Sequence, residues 1–213
     1  MRNAVRSLFA ALLGAAALVA GCATTPETTL QVSWVTPQLP PAPYRKLLII
    51  TVASDEFAQI AFQDQMASAL QERGVHAVAS RRYFTRYTEP ERERFRRSIE
   101  ESDADYVLLA RVTNAESSAD SRGTIVGPGG APYAAASGVY GAYALYGGSY
   151  TRGADAQVFT VTVEASIFAE KGEKLIWSAR TRTTNAQAFK SGADAARHQI
   201  AVILEAMKKD KLF

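Results

Sequence analysis

The residues able to act as nucleophiles, bases or metal ligands are few and widely spaced along the chain. The sequence holds one cysteine, Cys22, and two histidines, His76 and His198. A catalytic nucleophile needs a base within hydrogen-bond reach, and two distant histidines make a metal site only if carboxylates supply most of the ligands. Asp103 and Asp105 could form a carboxylate pair if the fold turns them together. We therefore predict no catalytic residue, no metal and no cofactor, and interpret both histidines as structural or surface residues.

Cys22 directly follows an apolar run, and its surroundings predict an export signal. Two arginines form a cationic start, residues 8–20 form the apolar stretch, and small residues precede the cysteine. This three-part pattern is typical of a cleaved signal peptide, here residues 1–21. The apolar stretch rises about 20 Å as a helix, which is too short for the roughly 30 Å hydrocarbon layer of a bilayer.

The position of the thiol predicts covalent lipidation. "LVAGC" resembles the bacterial lipobox, in which the cysteine takes a diacylglycerol before cleavage and becomes the first residue of the mature chain. The alternative is an ordinary export signal with a coincidental cysteine. Each buried methylene contributes about 0.8 kcal/mol, so several acyl chains, including palmitate, on Cys22 would anchor the protein firmly in a membrane. Ala23 follows the cysteine, and the sorting rule of such lipoproteins implies the outer membrane, with the protein facing the periplasm.

Composition and charge argue against a nucleic-acid partner. The chain has 24 basic and 21 acidic residues, and two of the basic residues, Arg2 and Arg6, belong to the signal peptide. Without them 22 basic and 21 acidic residues remain. A protein that neutralises many phosphates needs a clustered surplus of Lys and Arg. The length fits a single domain over residues 45–213 with a tether before it.

Residues 22–44 are expected to be the lipid anchor and a mostly extended tether. They hold five of the eight prolines, and proline restricts φ and removes a hydrogen-bond donor. The phrase "LQVSWV" breaks this pattern, because Leu30, Val32 and Trp34 alternate with polar neighbours. It could be a short strand docked on the domain edge, or Trp34 could be an exposed anchor for a partner.

The hydrophobic periodicity predicts an α/β fold with the order β-α-β-α-β-(Gly/Tyr loop)-β-β-α. Short crossovers make the first three strands parallel, and the last two add as an antiparallel meander. We expect one mixed sheet of about five strands with helices packed on it. In "VFTVTVEASIF" apolar residues alternate with Thr160, Thr162, Glu164 and Ser166, which predicts a strand with one wet face. In the next strand Trp177 is expected on the same side as Leu175 and Ala179.

Residues 118–154 form an insertion rich in glycine and tyrosine. Residues 123–153 hold nine of the fourteen glycines and five of the nine tyrosines. A long segment of this kind inside a domain is either a low-complexity insertion or a functional loop. Tyrosine buries area while keeping a hydroxyl hydrated, which suits a protein interface, a second copy of the chain or a lipid surface. The candidate contacts are Tyr133, Tyr140, Tyr143, Tyr146 and Tyr150.

Several phrases resemble a family of small Gram-negative outer-membrane lipoproteins of unknown function. They include "SWVTP", "KLLIITVASDE", "ESDADYVLLARV" and "VTVEASIFAEKGEKLIWSARTRT". The order of elements is also similar to that of lipoprotein activators of penicillin-binding proteins and of the curli secretion lipoprotein domain. That similarity concerns the fold and implies no shared activity. The resemblance brings no catalytic motif, and Cys22 is the functional residue that it carries over.

The sequence therefore predicts a non-enzymatic, outer-membrane-anchored periplasmic lipoprotein. Its domain would bind another envelope protein, or itself, in envelope assembly or stress, with Trp34 and the tyrosines as contacts. A first alternative is a binder of a small molecule or lipid, in a pocket between sheet and helices. A second is a hydrolase that uses Asp103, Asp105, Glu164 or His198.

Overall fold

Six strands and three α-helices make up the described part of the chain. A computed structural model describes residues 25–40, 46–53, 56–83, 91–117, 158–169 and 173–213. The strands are β1 (Glu27–Val35), β2 (Leu47–Val52), β3 (Ala77–Ala79), β4 (Tyr106–Ser117), β5 (Val158–Ala169) and β6 (Lys174–Thr184). The helices are α1 (Glu56–Gln71), α2 (Glu91–Ser102) and α3 (Gly192–Lys209), with short 3₁₀ turns at Ser80–Tyr83 and Ala186–Ala188.

All six strands belong to one mixed sheet with the order β1-β6-β5-β4-β2-β3. Strand β2 is parallel to β3 and β4, whereas β4, β5, β6 and β1 are successively antiparallel. The predicted α/β class, the parallel first half and the antiparallel meander are confirmed. The sheet has one strand more than the five predicted, because "LQVSWV" is a strand docked on β6.

The ends of the helices follow from local chemistry. After α1 the chain turns at Gly74, whose φ of 81° lies in the left-handed region where a side chain is strained. Before α3 the hydroxyl of Ser191 accepts a hydrogen bond of 3.1 Å from the backbone N–H of Asp194. This cap satisfies one of the donors that a helix start leaves without a partner.

The two faces of the sheet carry two separate apolar clusters. Helices α1 and α3 cover one face, where Met66, Ile203 and Trp177 are fully buried. Helix α2 covers part of the other face through Phe95 and Ile99. Side chains of β2 are buried in both clusters, one on each face of the sheet, which explains the continuous apolar run of this strand.

Leu175 lies on the opposite face from the one predicted. Trp177 belongs to the cluster under α1 and α3, whereas Leu175 belongs to the cluster under α2. The register between β5 and β6 shifts between Ile167 and Phe168. At this step β6 contains one residue more than β5. Such a bulge changes the side of the sheet to which the preceding residue points.

Candidate functional site at the edge of the sheet

Strand β1 is a nine-residue edge strand of the sheet. It pairs with β6 on one side, and no strand of the described ranges pairs with its other side. The register places Val32 opposite Arg180 and Trp34 opposite Ser178. An edge of this length presents a row of backbone donors and acceptors to which another chain can add.

Val32 and Trp34 are the exposed apolar side chains of this edge. Their exposed fractions are 53% and 39%. Since side chains two residues apart lie on the same face of a strand, the two form one apolar spot. The structure thus places Trp34, the predicted contact of the tether, on the rim of the domain rather than on a free linker. We call Val32, Ser33, Trp34 and Val35 the edge site.

The backbone of the edge site alternates between β6 and the outer side. The N–H of Thr36 donates a hydrogen bond of 2.9 Å to the carbonyl of Ile176 in β6. In an antiparallel strand every second residue directs its N–H and C=O to the same neighbour. Trp34 therefore bonds toward β6 as Thr36 does, whereas Ser33 and Val35 direct their backbone groups outward. The outer N–H and C=O groups are where a partner strand would pair.

A row of charged side chains lies on the same face of the sheet as the exposed side chains of the edge site, in the strands next to β1. Glu164 in β5 accepts a hydrogen bond of 2.6 Å from Nη2 of Arg111 in β4 and one of 3.1 Å from Nη2 of Arg180 in β6. Arg111 and Glu164 are buried, and Arg180 is about one third exposed. The row joins three adjacent strands and ends at Val32, which lies opposite Arg180 in β1.

The prediction of a wet face on β5 is wrong for three of its four polar side chains. Thr160, Glu164 and Ser166 are all more than 90% buried, whereas Thr162 is partly exposed. The hydroxyl of Ser166 lies 3.0 Å from that of Ser178, so the polar groups of this face pair with one another. Buried polar atoms of this kind are tolerated because they have partners.

Arg111 was not among the predicted site residues, although the sequence contains a signal for it. Arg111 interrupts the apolar run "YVLLARV", and a charge inside a buried strand requires a charged partner. The row carries two positive charges and one negative charge. The row connects β4, β5 and β6 through side-chain hydrogen bonds, and β1 with the edge site pairs with the last of these strands.

The catalytic candidates do not come together. His198 is on α3, which covers one face of the sheet, and Glu164 points to the other face. The Nδ1 of His198 lies 2.9 Å from the carbonyl oxygen of Asp194 in the preceding turn of its own helix. Asp103 and Asp105 are exposed on either side of Ala104, just before β4 begins. His76 is exposed next to β3.

Other predicted contacts lie outside the described residues. These are the lipidation site Cys22 and the five tyrosines of the insertion, Tyr133, Tyr140, Tyr143, Tyr146 and Tyr150. Within the described ranges no helix combines the length and apolarity needed to cross a membrane. In the same ranges no three His, Cys, Asp or Glu side chains are grouped so that they could hold a metal ion.

Comparison with protein-family models and with curated proteins finds no match. Among solved structures, the PelC dodecamer from Paraburkholderia phytofirmans is 13% identical, with a TM-score of 0.41, over 84% of this chain and 94% of that chain. Lipoprotein GNA1162 from Neisseria meningitidis is 12% identical, with a TM-score of 0.37, over 78% of this chain and 99% of that chain. A hypothetical protein from Chlamydia trachomatis is 8% identical, with a TM-score of 0.33, over 77% of this chain and 96% of that chain. At these TM-scores the likeness is a general one, so the function proposed below rests on the residues of this chain.

Proposed function

We propose that the protein is a non-enzymatic lipoprotein that is anchored through Cys22 in the outer membrane and binds an envelope protein, or a second copy of itself, through the edge site. The observation that carries this proposal is the long edge strand β1, which bears exposed Val32 and Trp34. The lipobox-like phrase that ends at Cys22 supports the anchor.

The chemistry of the edge site suits an extended partner segment. Outward backbone groups at Ser33 and Val35 can pair with an added strand, which supplies affinity through main-chain hydrogen bonds. Trp34 supplies the large aromatic surface that dominates many interfaces. The bulge between Leu30 and Val32 ends the regular register, so the regular outer edge runs from Val32 to Val35.

The buried charged row next to the edge site favours a binding function rather than a catalytic one. Glu164 uses both carboxylate oxygens on arginines, which leaves it poorly placed to accept a proton from a substrate. A site held on packed strands keeps its geometry before the partner arrives, and this lowers the ordering cost of binding. The edge site therefore fits a binding module.

Photocrosslinking in intact cells tests the contact. A photoreactive amino acid replaces Trp34, and the matched control replaces Glu205, which is exposed on α3. We expect specific adducts at position 34 and none at position 205, with both variants folded. Equal labelling at the two positions, or no adduct at position 34, contradicts a contact through the edge site. Self-association is recognised by an adduct of twice the monomer mass.

Cell fractionation tests the anchor separately. We expect the wild-type protein in the outer-membrane fraction, with an acylated N-terminal peptide by mass spectrometry. The Cys22→Ser variant cannot take a diacylglycerol and should leave the outer-membrane fraction. A wild-type protein that is soluble and free of fatty acid would disprove the anchor, and this result would be independent of the proposed contact through the edge site.

A further inference from the structure

The described sheet begins very close in sequence to Cys22. Two residues separate Cys22 from Thr25, and three residues of chain span at most about 11 Å. Thr25 is held on the domain, because its carbonyl accepts a hydrogen bond of 3.3 Å from Nδ2 of Asn185. Strand β1 then begins at Glu27. A lipid on Cys22 would therefore hold this end of the sheet next to the bilayer.

The strand directions define which parts of the domain share that end. Strands β1 and β5 begin there and β4 and β6 end there, since β1 and β5 run antiparallel to β4 and β6; β2 runs toward the same end but stops at Val52, opposite Arg111. We call it the anchor end. Its strand termini are Glu27, Val158, Ser117 and Thr184.

Helices α1 and α3 both start at the anchor end and lie side by side. A Cβ added to Gly192, the first residue of α3, would lie 3.2 Å from the Cβ of Ala58 in the first turn of α1. About two turns further along α1, Nε2 of Gln65 donates a hydrogen bond of 3.2 Å to the carbonyl of Ala193. Phe57, which precedes Ala58, thus lies at the anchor end.

Phe57 is the most exposed large apolar residue in the described ranges, at 83%. Exposed charges of both signs belong to the elements that meet at this end, with Glu27 and Arg182 in the strands, Glu56 beside Phe57 and Lys190 just before α3. An exposed phenylalanine at an end of the domain that carries charges of both signs matches the chemistry of a phospholipid interface, where the ring enters the apolar boundary and long basic side chains reach the headgroups.

We infer that the anchor end lies against the phospholipid bilayer in the lipidated protein, with Phe57 at the boundary between headgroups and acyl chains. This inference rests on the lipidation of Cys22 proposed above. Because the acyl chains hold the domain at the surface, the contact of Phe57 is an intramolecular event with a high effective concentration, which favours this orientation of the domain. Trp34 lies seven residues along β1 from Glu27, about 23 Å away at about 3.3 Å per residue. The edge site therefore extends away from the membrane toward a periplasmic partner.

Site-directed labelling of the full lipidated protein tests this orientation. Cys22 is the sole cysteine, so once it is acylated an introduced cysteine is the single free thiol. Lys190→Cys and Lys209→Cys place a fluorescent label at the anchor end, just before α3, and at the opposite end of α3; both side chains are exposed and Phe57 is kept, so neither the fold nor the proposed contact should change. The proteins are reconstituted in vesicles of phosphatidylethanolamine and phosphatidylglycerol that contain a headgroup-linked quencher.

We expect quenching at position 190 to be several-fold stronger than at position 209. In a Phe57→Ser background, the label at position 190 should lose part of its quenching, since the orienting contact is gone. Equal quenching at positions 190 and 209, with Cys22 acylated, overturns the inference and leaves the lipoprotein proposal intact. Absence of the acyl group in the N-terminal peptide overturns both.

Discussion

Glu164 accepts a hydrogen bond of 2.6 Å from Nη2 of Arg111 in the adjacent strand, and both side chains are about 95% buried. Arg180 on the other side of Glu164 is 34% exposed, so its guanidinium keeps contact with water. Arg111 is thus the more deeply desolvated of the two arginines that pair with Glu164. A buried charge that loses its partner is costly, because its desolvation is no longer offset.

Glu164→Ala is expected to lower the free energy of unfolding by about 3–5 kcal/mol, the range for a buried pair that loses one member. The double variant Glu164→Leu with Arg111→Met should recover much of this loss, since it removes both charges together. Urea denaturation followed by circular dichroism measures each value. Glu205→Ala, at an exposed position, serves as control and should stay within about 0.5 kcal/mol of wild type. A small effect of Glu164→Ala would show that the charged row contributes little to stability.

Asp210 explains how the indole of Trp177 is accommodated in the core. Nε1 of Trp177 donates a hydrogen bond of 2.8 Å to Oδ2 of Asp210, and Trp177 is fully buried. Asp210 stands at the C-terminal end of α3, where the helix dipole disfavours a negative charge. Asp210→Ala should therefore cost about 1–3 kcal/mol by leaving the indole N–H without its acceptor.

Asp210→Asn is the matched variant, because it keeps an acceptor oxygen and removes the charge from the helix end. We expect it to be close to wild type in the same denaturation experiment. If Asp210→Ala and Asp210→Asn destabilise equally, the charge matters more than the hydrogen bond to Trp177.

The turn after α1 offers a test of backbone conformation at Gly74. Its φ of 81° strains any L-residue, although an added Cβ would meet no atom within 4 Å. Gly74→Ala should cost about 1–2 kcal/mol, the usual penalty of the left-handed region. Gly74→Asn should cost less, since asparagine tolerates this conformation. Thermal unfolding of the two variants gives the order, and an Ala variant at least as stable as the Asn variant would contradict it.

The order of elements was predictable because their patterns are local. The run "LLIITV" is buried on both faces as β2, and "TVTVEASIF" alternates as one strand. Gly74 and Ser191 mark helix ends by chemistry that involves only their neighbours. Such signals depend on a few adjacent residues, so the tertiary structure does not alter the element that they predict.

The candidate site was only partly predictable, because its geometry depends on pairing between distant residues. The sequence predicts Trp34 as a candidate contact, yet the docking of its strand on β6 depends on residues more than 140 positions away. Alternation alone predicts that Glu164 faces solvent, because it cannot reveal that Arg111 and Arg180 lie beside this residue. The side change at Leu175 comes from a bulge, which no periodicity in the sequence marks.

The outer backbone of β1 allows a direct test of how a partner binds. The N–H of Ser33 points away from β6, as the hydrogen bond from Thr36 to Ile176 implies. Ser33→Pro removes this outward donor while keeping the hydrogen bonds that hold β1 on the sheet, and proline is tolerated on sheet edges. We expect normal folding and a several-fold loss of crosslinking from a probe at position 32.

Two matched variants separate main-chain pairing from side-chain contact. Ser33→Ala keeps the N–H and should retain crosslinking, so that the loss in Ser33→Pro can be assigned to the missing donor. Trp34→Ser removes the aromatic surface and should weaken capture as well, because the ring and the outer backbone act on the same partner segment. If Ser33→Pro captures the partner as well as Ser33→Ala does while Trp34→Ser fails, the partner contacts the side chains and adds no strand to β1.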